Sequence, residues 1–215
     1  MGALLKRQVE EFGERGYLVV SGLIPDEISR AAEVRLRAMV DSGESGGAHG
    51  RFDEPTLTAC YTDAMLRAAA ELANEDLTLF PPPNEAYVIN ALPSPGSWEW
   101  PEPHIDHAIE KDGHKTFPRA FMIAAMTYLS DVDVHGGGTI VWPGSHLRLK
   151  ALAESDPARY GFMWALNRDI NKVDIGDPVE LTPKRGDVLF YDTLCAHAGS
   201  MNVTVRPRLA MNRKW

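Results

Sequence analysis

A chain of 215 residues, 44% hydrophobic and 24% charged, has the make-up of a globular protein able to bury a core without staples. Its formal charge of −8 argues against nucleic acid and anionic membrane as partners and leaves a small-molecule substrate as the natural one. Cys60 and Cys195 make no disulfide framework, no run nears the ~18 apolar residues of a spanning helix, and charges interrupt the first thirty residues, so the expectation is a cytoplasmic protein.

In chain order, Leu4, Leu5, Val9 and Phe12 fall at helical spacing and stop at Gly13 and Gly16. Tyr17-Leu18-Val19-Val20 reads as a short strand. Pro25 opens a second helix, with Asp26 and Glu27 suiting its dipole and Ile28, Ala31, Ala32, Leu36 and Met39 on its inner face. Residues 41–55 read as a flexible loop with a solvated His49. A third helix is expected over Thr62–Ala73, with Met65, Leu66 and Leu72 inward.

After Pro81-Pro82-Pro83 the pattern changes. Short apolar runs at 85–92, 103–109, 118–130, 138–142, 178–182, 187–192, 195–199 and 205–212 alternate with Gly, Pro and Asp turns. That spacing predicts a mainly β sandwich or barrel with helices packed outside. The chain reads as a single domain over 1–215, with helical support in 1–80 and a β core in 85–215. An insertion at 146–177 interrupts the strands with a helix near Leu147–Glu154 and a loop carrying Tyr160, Phe162, Met163 and Trp164. It reads either as a lid or as a flank packed by its own aromatics.

The chemistry gathers at His104-Ile105-Asp106. On an extended strand His104 and Asp106 project to one face and Ile105 to the other. Together with His197, the one well-placed late candidate, they make a two-His-one-carboxylate face suited to non-haem Fe(II) and O2. His107 points away unless the strand bulges. In Arg206-Pro207-Arg208-Leu209-Ala210-Met211-Asn212, alternation sets Arg206, Arg208, Ala210 and Asn212 on one face. Pointing inward, the arginines need an anionic partner that this strand does not supply, and a bound dicarboxylate would provide it. Turned over, they are a solvated face. His146 in Pro143-Gly144-Ser145-His146 reads as ordering a turn, and His114 and His135 sit in turns. Trp98, Trp100 and Glu102 either line a substrate mouth or pack on the barrel rim.

HIDHA, GGGTIVWPGSH, PKRGDVLFYD, HAGSMNVTVRPRLAMN and the opening RGYLVVSGLIPDEI together resemble the phytanoyl-CoA dioxygenase family of Fe(II)/2-oxoglutarate oxygenases. The resemblance covers nearly the whole chain. It implies a double-stranded β-helix (a cupin-like jelly roll) with iron at one mouth, ligated by His104, Asp106 and His197. Arg208 would hold the distal carboxylate of 2-oxoglutarate, with Arg206 as its competitor, and Asn90 or Thr139 would hydrogen-bond the cosubstrate. Members often carry Ser two residues after the second His, where this chain has Gly199 and then Ser200.

The activity implied is oxidation of a small molecule by O2, with release of succinate and CO2. It would be a hydroxylation or an oxidative cyclisation, desaturation or epimerisation, on a secondary metabolite. An Asp at position 106 favours these over halogenation. The acidic balance, with Glu99, Glu102, Glu110 and Asp112 near the metal motif, suits an amine- or sugar-bearing substrate. Two competing readings are a cupin-like metal isomerase that needs no 2-oxoglutarate and a silent metabolite-binding jelly roll; neither has a use for an open metal site together with an inward Arg208.

Overall fold

The computed structural model describes residues 3–43, 49–106 and 113–215. Helix α1 (Lys6–Arg15) ends at Gly16, whose φ of 78° is the left-handed conformation that closes a helix. Gly13 does not stop the helix; it lies inside the last turn. Strand β1 (Tyr17–Val20) leads to α2 (Asp26–Asp41), capped by Pro25. The stretch expected as a loop instead carries β2 (His49–Phe52), because its alternate residues pair along an open sheet edge with β3 (Ala86–Ile89). Between them lie α3 (Pro55–Thr58), α4 (Asp63–Ala73) and a 3-10 turn at Leu77–Leu79. The Thr62 hydroxyl accepts the Met65 N–H at 3.2 Å and so caps α4.

The second half gives β4 (Ala124–Tyr128), β5 (Thr139–Val141), α5 (Ser145–Ser155), α6 (Met163–Arg168), β6 (Val179–Glu180), β7 (Val188–Tyr191), β8 (His197–Gly199) and β9 (Ala210–Lys214). Six strands form one antiparallel sheet in the order β1-β7-β4-β9-β3-β2, and β6-β5-β8 form a second. Two expected strands shrink. Within 103–109 only His104 pairs, as a single bridge to His197, and residues 107–109 lie outside the described residues. In 205–212 the chain bends at 204–206, Arg208 bridges Ala91, and regular pairing begins at Ala210.

Alternation along the larger sheet sorts its faces. Leu18, Val88, Ala125, Val188, Phe190, Leu209 and Met211 pack outward against Phe12, Leu36, Met39, Met65 and Leu66 of the helices. The other face turns inward with Ala124, Met126, Tyr128, Leu189, Tyr191 and Ala210 and meets Val141 and Cys195. The second sheet has its own backing, in which Ile140, Trp142, Ala196 and Ala198 pack on Leu149, Tyr160, Met163 and Leu166. The 146–177 segment is thus joined to the core as a packed flank. This is a mainly β, jelly-roll arrangement with helices outside both sheets.

The N-terminal helix is tied to the barrel through the PGSH turn. The ring of His146, buried, meets the Gly13 carbonyl at 3.1 Å, and Gly144 N–H donates to Arg15 O at 2.8 Å. His146 therefore orders a junction, as its sequence context suggested. Among the described residues no helix is long and apolar enough to cross a membrane.

Candidate metal centre and cosubstrate cavity

His104 and His197 face each other across the barrel mouth because their backbones pair, N–H to carbonyl at 3.0 Å in both directions. Asp106 returns to the same side as His104, and the buried Ile105 points into the flank core. The Ile105 N–H donates to Asn167 Oδ1 of α6 at 2.9 Å, so the flank helix fixes the turn between the two residues. One ligand atom from each of His104, Asp106 and His197 lies within 4.8 Å of the others.

Asp106 and His197 are held by side-chain hydrogen bonds, and the His104 ring packs against that of His197 at 4.6 Å. His197 Nδ1 lies 2.9 Å from the Cys195 carbonyl, which makes Nδ1 the donor and leaves the Nε2 lone pair free, 3.5 Å from Asp106 Oδ2. Burial, reinforced by the neighbouring His197 and Lys214, lowers His104 to about 4, so its imidazole is neutral and able to ligate at neutral pH. Burial pushes the Asp106 carboxyl up, but His197, Lys214 and His104 together outweigh it and hold it below the usual carboxylate value. Lys214 Nζ reaches Asp106 Oδ1 at 3.1 Å, and the Tyr191 hydroxyl donates to Oδ2 at 3.1 Å. Burial, with Asp106 alongside, raises Tyr191 well above an ordinary phenol and keeps it a donor. Asn212 Nδ2 in turn donates to the Tyr191 oxygen at 3.0 Å.

Register explains this grouping. Lys214, Ala124, Tyr191 and Tyr17 pair across β9, β4, β7 and β1 in one row at the level of Asp106. The next inward row carries Tyr87, Asn212, Met126 and Leu189. Deeper lie Ile89, Tyr128 and Thr139, and then Arg208. Of these, Lys214, Tyr191, Tyr87, Asn212, Met126, Ile89 and Thr139 line a cavity of about 230 Å³ with His104, Asp106 and His197 at one end and Arg208 at the other.

Arg208 is 5% exposed. Its Nε donates to Gly137 O at 2.8 Å and Nη1 to Ile89 O. Among the described residues no carboxylate pairs with it, and burial lowers its guanidinium from the ordinary value. A buried guanidinium with no carboxylate partner among the described residues, in the same cavity as the three ligand residues, fits a dicarboxylate bound there. Thr139 lines the same end, its hydroxyl 2.7 Å from that of Tyr128.

Other expected residues fall elsewhere. Arg206 does not share Arg208's face; the bend carries it to the surface, where Nη2 pairs with Asp133 Oδ2 at 2.5 Å. Asn90 is buried behind the cavity wall, its Oδ1 accepting Ala210 N–H at 3.3 Å while Nδ2 has no partner. Gly199 lines the cavity and faces open space, whereas the Ser200 hydroxyl is turned away to Gly138 O at 3.0 Å. Trp98 stacks on His135 at 4.2 Å and packs against Trp100 at 4.7 Å, away from the metal cavity. His107, Glu110 and Asp112 lie outside the described residues.

Tyr191, Lys214 and Asn167 were not singled out from the sequence. Lys214 continues the parity of Arg208, Ala210 and Asn212 beyond the expected strand end, and Tyr191 shares that of Leu189. Asn167 left no local signal.

A jelly roll with two histidines and a carboxylate at its mouth and a buried arginine behind them defines a class of oxygenase-like folds. The chain belongs to the phytanoyl-CoA dioxygenase family, whose sequence profile matches residues 12–210. No curated protein matches the sequence. Among solved structures it is similar to the non-haem alpha-ketoglutarate-dependent carbocyclase SnoK of nogalamycin biosynthesis, with a TM-score of 0.65 and 20% identity, covering 99% of this chain and 84% of SnoK. It is also similar to the epimerase SnoN in complex with Fe3+, alpha ketoglutarate and nogalamycin RO (TM-score 0.63, 19% identity, 96% and 81% covered). A third likeness is to EctD from S. alaskensis (TM-score 0.65, 17% identity, 98% and 76% covered). At these identities the likeness is one of fold.

Proposed function

We propose that this protein is a non-haem Fe(II)- and 2-oxoglutarate-dependent oxygenase of small molecules. The observation that carries the reading is the pairing of His104, Asp106 and His197 at one end of a cavity with an acid-free, buried Arg208 at the other. The donor set of two imidazoles and one carboxylate suits Fe(II) and leaves open positions.

His104, Asp106 and His197 hold the iron. Arg208 would hold the distal carboxylate of 2-oxoglutarate, and Thr139 would hydrogen-bond the cosubstrate. Tyr191 and Lys214 fix the two oxygens of Asp106, and the Cys195 carbonyl fixes the His197 tautomer. Iron bound there supplies O2 activation, coupling conversion of 2-oxoglutarate to succinate and CO2 with oxidation of the substrate. The apolar wall of Ile89, Met126 and Ala198 limits water around the cosubstrate.

The substrate class proposed is a secondary metabolite, consistent with SnoK and SnoN being a carbocyclase and an epimerase. Outcomes at this site are hydroxylation, cyclisation or epimerisation, and the place of action is the cytoplasm, without nucleic-acid or membrane partners. An isomerase independent of 2-oxoglutarate has no role for Arg208. Anaerobic titration of metal-free protein with Fe(II) and then 2-oxoglutarate tests the reading. One equivalent of each should bind, with the charge-transfer absorbance of a chelated keto acid, and Asp106→Ala should lose both iron and absorbance. Full iron binding by Asp106→Ala would refute the ligand set.

A further inference from the structure

A second cavity, of about 320 Å³, opens off the first at the outer edge of the six-stranded sheet. The two share Tyr87, Asn212 and Lys214 and are adjoining compartments. Arg51 pairs opposite Tyr87, and Tyr87 opposite Asn212, so their side chains stand in one row on the inner face. Lys214, two residues beyond Asn212, shares that face. The Arg51 guanidinium lies 5.5 Å from the Tyr87 ring centre, and Lys214 Nζ 5.5 Å from that of Phe121. Lys214 also touches Asp106 at 3.1 Å, which puts this compartment one side chain away from the proposed iron.

Its charge runs against that of the whole chain. Among the described residues the wall carries Arg51, Arg213 and Lys214, the last also paired with Asp106, against one lining acid, Glu85, although acidic residues outnumber basic ones 30 to 22 overall. Arg51 gives one nitrogen to Glu85 at 3.1 Å in a solvent-exposed pair, a weak bond, and its other donors have no hydrogen-bond partner among the described residues. Arg213, 5.7 Å from the Trp215 ring centre, has no carboxylate partner among the described residues. Of the acids that suggested an amine-bearing substrate, Glu99 and Glu102 are exposed and line neither cavity, and Glu110 and Asp112 lie outside the described residues.

We infer that this compartment is the site of the prime substrate and that the substrate is a small organic anion carrying a carboxylate and a flat or apolar body. The carboxylate is drawn to Arg51 and Lys214, and the body lies along Tyr87 and Phe121 with its reacting carbon toward the metal. The inference rests on the iron and 2-oxoglutarate reading and adds the charge of the substrate to it.

The test uses the full chain loaded with Mn(II) and saturated with 2-oxoglutarate, so that Arg208 is already occupied. Binding of 3-phenylpropanoate, 3-phenylpropanamide and 3-phenylpropylamine, alike in shape and different in charge, is followed by ligand-observed NMR at millimolar concentration. The acid alone should bind, with its relaxation enhanced by Mn(II). Arg51→Glu, a change at an exposed side chain, should weaken the acid by about tenfold or more and admit the amine. Equal binding of amine or amide, no binding by any of the three, or an unchanged affinity in Arg51→Glu would overturn the inference. Binding of 2-oxoglutarate is read first in the same samples, and its absence would instead overturn the oxygenase reading.

Discussion

Replacing Arg208 by Met separates the two things a buried arginine can be, a structural strut or a ligand anchor. The wild-type side chain gives hydrogen bonds to two carbonyls, of Gly137 and Ile89, and among the described residues no acid neutralises it. Losing two charge-assisted bonds costs about 3–6 kcal/mol, from about 1.5–3 each. Removing an unpaired buried charge returns several kcal/mol of desolvation, so the opposing effects leave apoprotein stability within about 2 kcal/mol of wild type. Binding changes far more. Truncating one partner of a buried, hydrogen-bonded charge pair costs about 2–5 kcal/mol, or roughly 30- to 4,000-fold in the Kd for 2-oxoglutarate. The assay is urea unfolding of the Mn(II)-loaded protein with and without 2-oxoglutarate. Wild type should gain about 2.7 kcal/mol at a hundred times its Kd, and Arg208→Met less than about 1 kcal/mol at the same concentration. A variant that keeps the ligand-induced gain, or loses more than about 4 kcal/mol without ligand, would refute the anchor argument.

Three further changes test the surroundings. Asn167→Ala leaves the buried Ile105 N–H without its acceptor and loosens the turn between His104 and Asp106; metal affinity should fall about 10- to 100-fold, measured by Mn(II) titration. Gly199→Ser puts a Cβ where nothing lies within 4 Å, so stability should hold within about 0.5 kcal/mol while the new hydroxyl tightens 2-oxoglutarate about 2- to 10-fold by calorimetry. Asp169, bonded by Lys172, Arg159 and the Tyr160 hydroxyl, is lowered to about 2. Its contribution is complete above the ordinary carboxylate value and is lost as pH falls from about 4 towards about 2. Asp169→Asn should therefore melt lower at pH 7, with the gap to wild type narrowing below about pH 4; a gap that stays constant in thermal scans would contradict this.

The parts of the fold legible in the sequence were those with a strong local period. The helices at 6–15, 26–41 and 63–73 and the strand at 188–191 follow directly from apolar spacing and capping residues. Strand β2 was missed because Gly50 and the surrounding Gly-rich stretch look like loop, and its pairing with β3 is non-local. Alternation in the last segment grouped Arg208, Ala210 and Asn212 on one face and left open which way it points, and it failed for Arg206, because period two presumes a straight strand and the chain bends at 204–206. The roles given to His104, Asp106 and His197 came from motif order, whereas Tyr191, Lys214 and Asn167 act through side chains brought in from distant strands and a flank helix. The acidic balance suggested an amine- or sugar-bearing substrate, whereas the described wall of the second cavity is mostly basic, since a global sum says nothing about where charges cluster.

The measurement that bears most directly on the central claim is succinate formation by metal-free protein supplied with Fe(II), ascorbate, O2 and 2-oxoglutarate. The account predicts succinate that requires iron, is lost in Arg208→Met and Asp106→Ala, and persists in Arg206→Ala, whose side chain is exposed and paired with Asp133. Succinate lost in Arg206→Ala but retained in Arg208→Met, or an absence of any 2-oxoglutarate binding to the iron-loaded protein, would contradict it.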